Sequence, residues 1–203
     1  DVETAFAGAA HVFREELKMH RGGSHSMECR GCVAWHEMTV DQTTLWSSTQ
    51  MPHSLRTTFI DMTGRDESSI RVVTPDIGGG FGPKLVVYQE DIVVALASKM
   101  IGRPIKWIED RREHFIVTTQ ERDQYWTAEI ALDAESKILG IRGGVIHDHG
   151  AYTARGVNLA YNAAETVTLG YVVPHYCMNV KVVLTNKVPV TPVRGAGHPQ
   201  GTF

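Results

Sequence analysis

The run Gly78-Gly79-Gly80-Phe81-Gly82-Pro83 limits what this chain can fold into more than any other feature. Four glycines in five positions lose too much backbone entropy to sit inside a helix or strand, so the run must be a loop between regular elements. Residues 70–74 before it are a short apolar, β-prone stretch. The spacing after it predicts a helix over 86–101, nearly apolar all round from Ile92, and Gly102 and Pro104 stop that helix. Residues 105–109 then read as another strand. A glycine loop at a helix N-terminus gathers outward-pointing amides that suit an anion or a dense set of acceptors. Two nucleotide patterns fail on spacing. The phosphate-loop pattern needs glycine directly before its lysine, and Pro83 precedes Lys84. The dinucleotide pattern fits Gly78 and Gly80 but meets Pro83 where its third glycine belongs. A purely structural turn and a ligand loop both remain open. Phe81 favours the ligand loop, because a large aromatic in an otherwise bare loop is costly unless it packs on something specific.

The surrounding chain mixes strands and helices without strict alternation. Apolar residues Val2, Phe6, Ala9, Val12, Phe13 and Leu17 predict one helix over 1–18, with Asp1 and Glu3 at its positive end. Residues 19–27 read as a polar loop, and 33–40 and 43–48 as a hairpin. Pro52 opens a helix that ends at Gly64. The charged residues 110–113 follow the strand at 105–109. Residues 125–132, a turn at 133–137, and 138–147 form a second hairpin. Residues 150–170 read as a long loop carrying a helix, and 176–186 as the last strand. The class expected is α+β, mixed sheets with packed helices.

The bulk numbers exclude more than they select. A net charge of −3 with interspersed signs leaves no basic stripe for nucleic acid and no polybasic cluster for a membrane. The longest apolar run, 92–97, is far short of a bilayer span. Three cysteines cannot all pair within the chain, which points to a reducing, cytoplasmic setting. The chain opens on Asp1 without methionine and stops at Phe203 after a turn-like segment, so a piece of a longer polypeptide is expected. One competing metal set exists. His20, His25, Cys29 and Cys32 offer four ligands within thirteen residues, enough for a small zinc-binding module. Zinc ribbons bring two pairs from separated turns, which this crowded run does not. His147 and His149 share a face of a predicted strand, read here as a surface strand rather than a ligand pair.

Five segments carry a resemblance. They are Asp76-Ile77-Gly78-Gly79-Gly80-Phe81-Gly82-Pro83-Lys84; Leu45-Trp46-Ser47-Ser48-Thr49-Gln50; Arg103-Pro104-Ile105-Lys106-Trp107-Ile108-Glu109-Asp110-Arg111; Thr185-Asn186-Lys187; and Arg194-Gly195-Ala196-Gly197-His198-Pro199-Gln200. In order and spacing, over almost all of 1–203, they resemble the large subunit of molybdenum hydroxylases. That superfamily includes xanthine dehydrogenase, aldehyde oxidase and aerobic carbon monoxide dehydrogenase. The resemblance implies that 1–203 is an incomplete molybdopterin-binding domain, its second cofactor-binding domain absent.

The resemblance also implies roles. Gln50 would hydrogen-bond to a molybdenum oxygen ligand; Gly80, Phe81 and Gly82 would line metal and pterin through the backbone; Arg194 would close the site. Purine-oxidising members place a glutamate after the loop lysine and an aromatic two residues beyond the arginine. Here these are Leu85 and Ala196, which line the implied substrate pocket and disfavour a purine. Carbon monoxide dehydrogenases carry a copper-binding cysteine after the arginine, and here it is Gly195. The implied reaction is hydroxylation of an aldehyde or N-heteroaromatic carbon, with water as oxygen source. Its general-base glutamate is expected outside 1–203, so these residues alone are expected to be inactive. The implied cofactor is molybdenum-molybdopterin in a dinucleotide form. Iron–sulfur clusters and FAD would sit in partner subunits or domains, the whole forming a dimer of heterotrimers.

Overall fold

The computed structural model describes residues 1–203. The elements run α1 (Val2–Ala7), β1 (His11–Met19), β2 (Gly31–Glu37), β3 (Gln42–Ser47), α2 (Pro52–Thr63), β4 (Ile70–Val73), α3 (Gln89–Ile101) and β5 (Ile105–Ile108). They continue with α4 (Arg111–Val117), β6 (Gln124–Leu132), β7 (Ile138–Gly150), α5 (Asn158–Thr166), β8 (His175–Leu184) and α6 (His198–Thr202). Two mixed four-stranded sheets with packed helices make the class α+β, as the sequence indicates. The chain divides into two compact units, one of residues Gly23–Thr118 and the other of Asp1–Gly22 with Thr119–Phe203.

In the unit Gly23–Thr118 the sheet order is β4-β3-β2-β5. β2 and β3 form the expected antiparallel hairpin, and β4 joins β3 in parallel. Cys32, Ala34 and Leu45 of the sheet pack with Leu55 and Phe59 of α2 and with Ile92, Val94 and Ala95 of α3. Gly64 and Gly102 end the two helices at φ +64° and +63°, where a side chain would be strained. The charged residues 110–113 are more than a connector. Asp110 accepts from Glu113 N–H and Glu113 reaches back to Asp110 N–H, a capping box that opens α4.

The other unit is built on the sheet β1-β6-β7-β8. Here the expected helix over 1–18 is wrong beyond its first turns. α1 stops at Ala7, and His11–Met19 is an edge strand paired antiparallel with β6 along its whole length. The apolar spacing fits a helix, but nine backbone pairings with β6 outweigh a weak local preference. Leu17, Trp126, Val145 and Val180 line up across the four strands, and α5 covers them with Ala163 and Ala164. β8 runs parallel to β7, with α5 as the crossover.

The surface-strand reading of His147 and His149 is also corrected. Both are 0% exposed, because β7 is an interior strand and His147 shares the α5-covered face with Val145. Burial, aided by His149 and Arg21, pushes the His147 imidazole down to about 4. Its folded pKa lies below the unfolded value near 6.5, so the unfolded chain binds the extra proton. The unit should therefore be fully stable above about pH 6.5 and lose on the order of 3 kcal/mol as pH falls towards 4. Unfolding midpoints followed from pH 8 to 4.5 check this. A His147→Gln variant should lose less over that range, and an identical acid profile would contradict the assignment.

Candidate cofactor site

The glycine loop is held by residues from two other segments of its own unit. Gln50, just past the end of β3, donates its backbone N–H to the Lys84 carbonyl at 2.9 Å. Its side-chain oxygen accepts from Gly82 N–H at 3.0 Å. That bond orients the carboxamide, so the exposed Gln50 Nε2 carries two N–H groups with no partner in the protein. A Cβ on Gly80 would sit 2.5 Å from the Gln50 amide and would displace it from its bond with Gly82. Gly79, Phe81 and Gly82 have φ of +95°, +54° and +116°. The Phe81 ring folds back over Gly79, where a Cβ would meet it at 2.6 Å, yet it stays 41% exposed. Leu85 is half-buried in the tight turn Pro83–Leu85 that follows.

That turn changes one expectation. α3 begins only at Gln89, so the loop amides do not cap it, and the helix-dipole argument for an anion does not apply. What the loop offers is a neutral donor surface beside an exposed aromatic.

Two residues that fix the loop, Glu28 and Lys84, were given no such role from the sequence. The Glu28 carboxylate accepts from Gly78 N–H at 3.0 Å and from Lys84 Nζ at 2.6 Å, and Glu28 N–H donates to the Gly78 carbonyl. Lys84 is 2% exposed, so its ammonium is spent on pinning both ends of the loop. Arg30, two residues along the chain from Glu28, is held by a buried network of its own. Arg30 Nε and backbone N–H each donate to Glu109 at 2.9 Å, His114 Nδ1 lies 2.6 Å from the same carboxylate, and Tyr88 stacks 3.7 Å from the guanidinium. Burial pushes the Glu109 carboxyl up, but the Arg30 and His114 hydrogen bonds outweigh it and hold it below the usual range.

The zinc set is not assembled. His20 belongs to the other unit. Cys32 is buried with Sγ towards the Glu90 carbonyl, and burial, with Asp91 and Glu90 nearby, pushes its thiol up to about 12, the wrong direction for a metal ligand. His25 packs edge-on to His114 and Phe115. Cys29 does come within 4.8 Å of Glu109 and His114, but both Glu109 oxygens are already bonded to Arg30 and His114.

In the unit Asp1–Gly22 with Thr119–Phe203, the segment after Val193 turns sharply, with Gly195, Ala196 and Gly197 at φ +103°, +48° and +104°. Ala196 N–H bonds the Val193 carbonyl at 2.7 Å and His198 N–H the Gly195 carbonyl at 3.0 Å, which leaves Arg194 exposed at the head of the turn.

Against known proteins, the family model described as the molybdopterin cofactor-binding domain matches residues 1–203. This chain belongs to that family. Nicotine 6-hydroxylase large subunit of Paenarthrobacter nicotinovorans is 39% identical over 207 residues, covering 100% of the chain and 25% of that protein. The carbon monoxide dehydrogenase large chain of Hydrogenophaga pseudoflava is 35% identical, with 92% and 24% covered. The crystal structure of quinoline 2-oxidoreductase from Pseudomonas putida 86 superposes with a TM-score of 0.89 at 36% identity, covering 97% of this chain and 25% of that one. The chain thus spans about a quarter of the relatives it matches. No helix is long and apolar enough to cross a membrane. The molybdopterin-family loop fits its cofactor on one observation: Gln50 Nε2, oriented by Gly82 and otherwise unpartnered, is a fixed neutral donor beside exposed Phe81.

Proposed function

We propose that residues 1–203 are one molybdopterin-binding domain within a molybdenum-dependent hydroxylase of aldehydes or N-heteroaromatics. The observation that carries this reading is the Gln50–Gly82 bond, which presents a preoriented amide donor over a loop of bare backbone. Gln50, Gly80, Phe81, Gly82 and Arg194 hold the cofactor, and Leu85 and Ala196 face the substrate. Bound molybdopterin supplies a metal centre through which a substrate C–H and water become C–OH, two protons and two electrons. The chain's own contribution is to bind and orient. Gln50 donates through Nε2, Phe81 excludes water from one side, and the Glu28–Lys84 pair keeps the loop from moving. The named chemistry of the nicotine and quinoline relatives supports an N-heteroaromatic ring. The electrons leave through iron–sulfur and FAD partner subunits, in a cytoplasmic dimer of heterotrimers.

Substrate selection tests the reading. A purine needs a carboxylate for its polar edge and an aromatic for its face, and Leu85 and Ala196 supply neither. Specificity constants on the holoenzyme should favour a quinoline-like ring or an aldehyde over xanthine by at least about a hundredfold. Equal turnover of xanthine would show that the pocket is built from other residues.

A further inference from the structure

We propose that Asn162 of α5 is the positioning residue of the Arg194 turn: its side-chain amide fixes the left-handed run 195–197 and so sets where Arg194 projects. The inference rests on the cofactor role proposed for Arg194.

The turn is a poor structure by itself. Three successive residues lie in the left-handed region, and the middle one is Ala196, which has a Cβ. Something outside the turn must hold it, and α5 is what lies behind it. A Cβ on Gly197 would sit 2.4 Å from the Leu159 carbonyl and 3.0 Å from Asn162 Cβ. One on Gly201 would sit 2.2 Å from the Ala163 carbonyl. The backbone after Arg194 is thus pressed directly on α5 with no side chain between. At this contact Asn162 Nδ2 donates to the Ala196 carbonyl at 2.9 Å, the one side-chain bond made to the carbonyls of 194–197. One helical turn on, Thr166 Oγ1 meets His198 Nδ1 at 2.8 Å, a second tie from the same face. The Gly195 carbonyl accepts from His198 N–H and the Gly197 carbonyl from Gln200 and Gly201 N–H of α6, while Asn162 satisfies the carbonyl of the strained Ala196.

The test uses the holoenzyme and two readouts: molybdenum per protein after dilution and gel filtration, and amide exchange over 193–198 in cofactor-free protein. Asn162→Ala and the isosteric Asn162→Asp, which cannot donate, should both speed exchange at these amides about tenfold and lower retained molybdenum several-fold. In an Arg194→Ala background, Asn162→Ala should cost little further molybdenum, because the two act through one group. The same fractional loss in both backgrounds would reduce Asn162 to a general fold contact and overturn the proposal, as would Asn162→Asp behaving like the unaltered protein. Full molybdenum retention by Arg194→Ala alone would overturn the cofactor role of Arg194 and the functional part of this inference. The exchange rates then still decide whether Asn162 sets the turn.

Discussion

Glu109→Ala should lower the stability of the unit Gly23–Thr118 by about 3–5 kcal/mol, the largest loss expected from one substitution there. The carboxylate is 2% exposed and accepts from Arg30 through its side chain and its backbone N–H, from Thr118 Oγ1 at 3.2 Å, and pairs with His114. Removing it strands a guanidinium that is itself only 5% exposed, against Tyr88 and Trp107, with Glu90 at 3.2 Å as its remaining ion pair. A buried guanidinium left with Glu90 alone, rather than the loss of any one hydrogen bond, sets the size of the effect. Glu109→Gln keeps the shape and one acceptor and should cost less. Both can be read from denaturant unfolding monitored by Trp fluorescence. A Glu109→Ala loss below about 1 kcal/mol would mean that water reaches Arg30 and that the network is not sealed. The substitution should also loosen the glycine loop, since Arg30 fixes the strand entry from which Glu28 reaches Gly78 and Lys84.

Phe81→Asp should leave the chain folded while molybdenum content falls about tenfold or more. The fold survives for two reasons. Phe81 is 41% exposed, outside both hydrophobic cores, and its φ of +54° is one that Asp tolerates better than most residues. Cofactor binding does not survive, because a carboxylate beside an electron-rich, acceptor-dense ligand must be desolvated and then repelled. Phe81→Asn separates the two effects. It has the shape of Asp without the charge, and should retain more metal than the Asp variant. Metal analysis of the purified holoenzyme, with circular dichroism to confirm folding, is sufficient. Unchanged molybdenum in a folded Phe81→Asp protein would sink the assignment of this loop to the cofactor.

Local chemistry written into the chain was legible wherever a short signal coincided with a short structure. Pro52 and Gly64 bracket α2, Gly102 stops α3, and the β2–β3 hairpin follows its β-prone runs. The capping box at Asp110 and Glu113 was present in the same form, and α4 could have been found from it. The glycine loop was identifiable by type and spacing, Gln50 only through the family resemblance, and the structure joins them through the Gly82 N–H.

What only the tertiary structure decided has a common cause: each case depends on a partner distant in sequence. His11–Met19 is a strand because β6 supplies its hydrogen bonds, more than a hundred residues later. The apolar periodicity of those residues contains nothing about β6. His147 and His149 are buried because β8 and α5 close over β7, a fact set by the parallel crossover rather than by the histidines. Cys29 and Cys32 are close in sequence, yet Cys32 faces α3 from a strand, so neighbourhood along the chain did not become a ligand pair. Glu28 and Lys84 lie 56 residues apart, and their role in fixing the loop exists only once the fold brings them to 2.6 Å. Residue type and local spacing thus determined which groups the chain brings to its chemistry. Long-range backbone pairing and burial determined which of them meet, because those energies belong to pairs of segments and to neither segment alone.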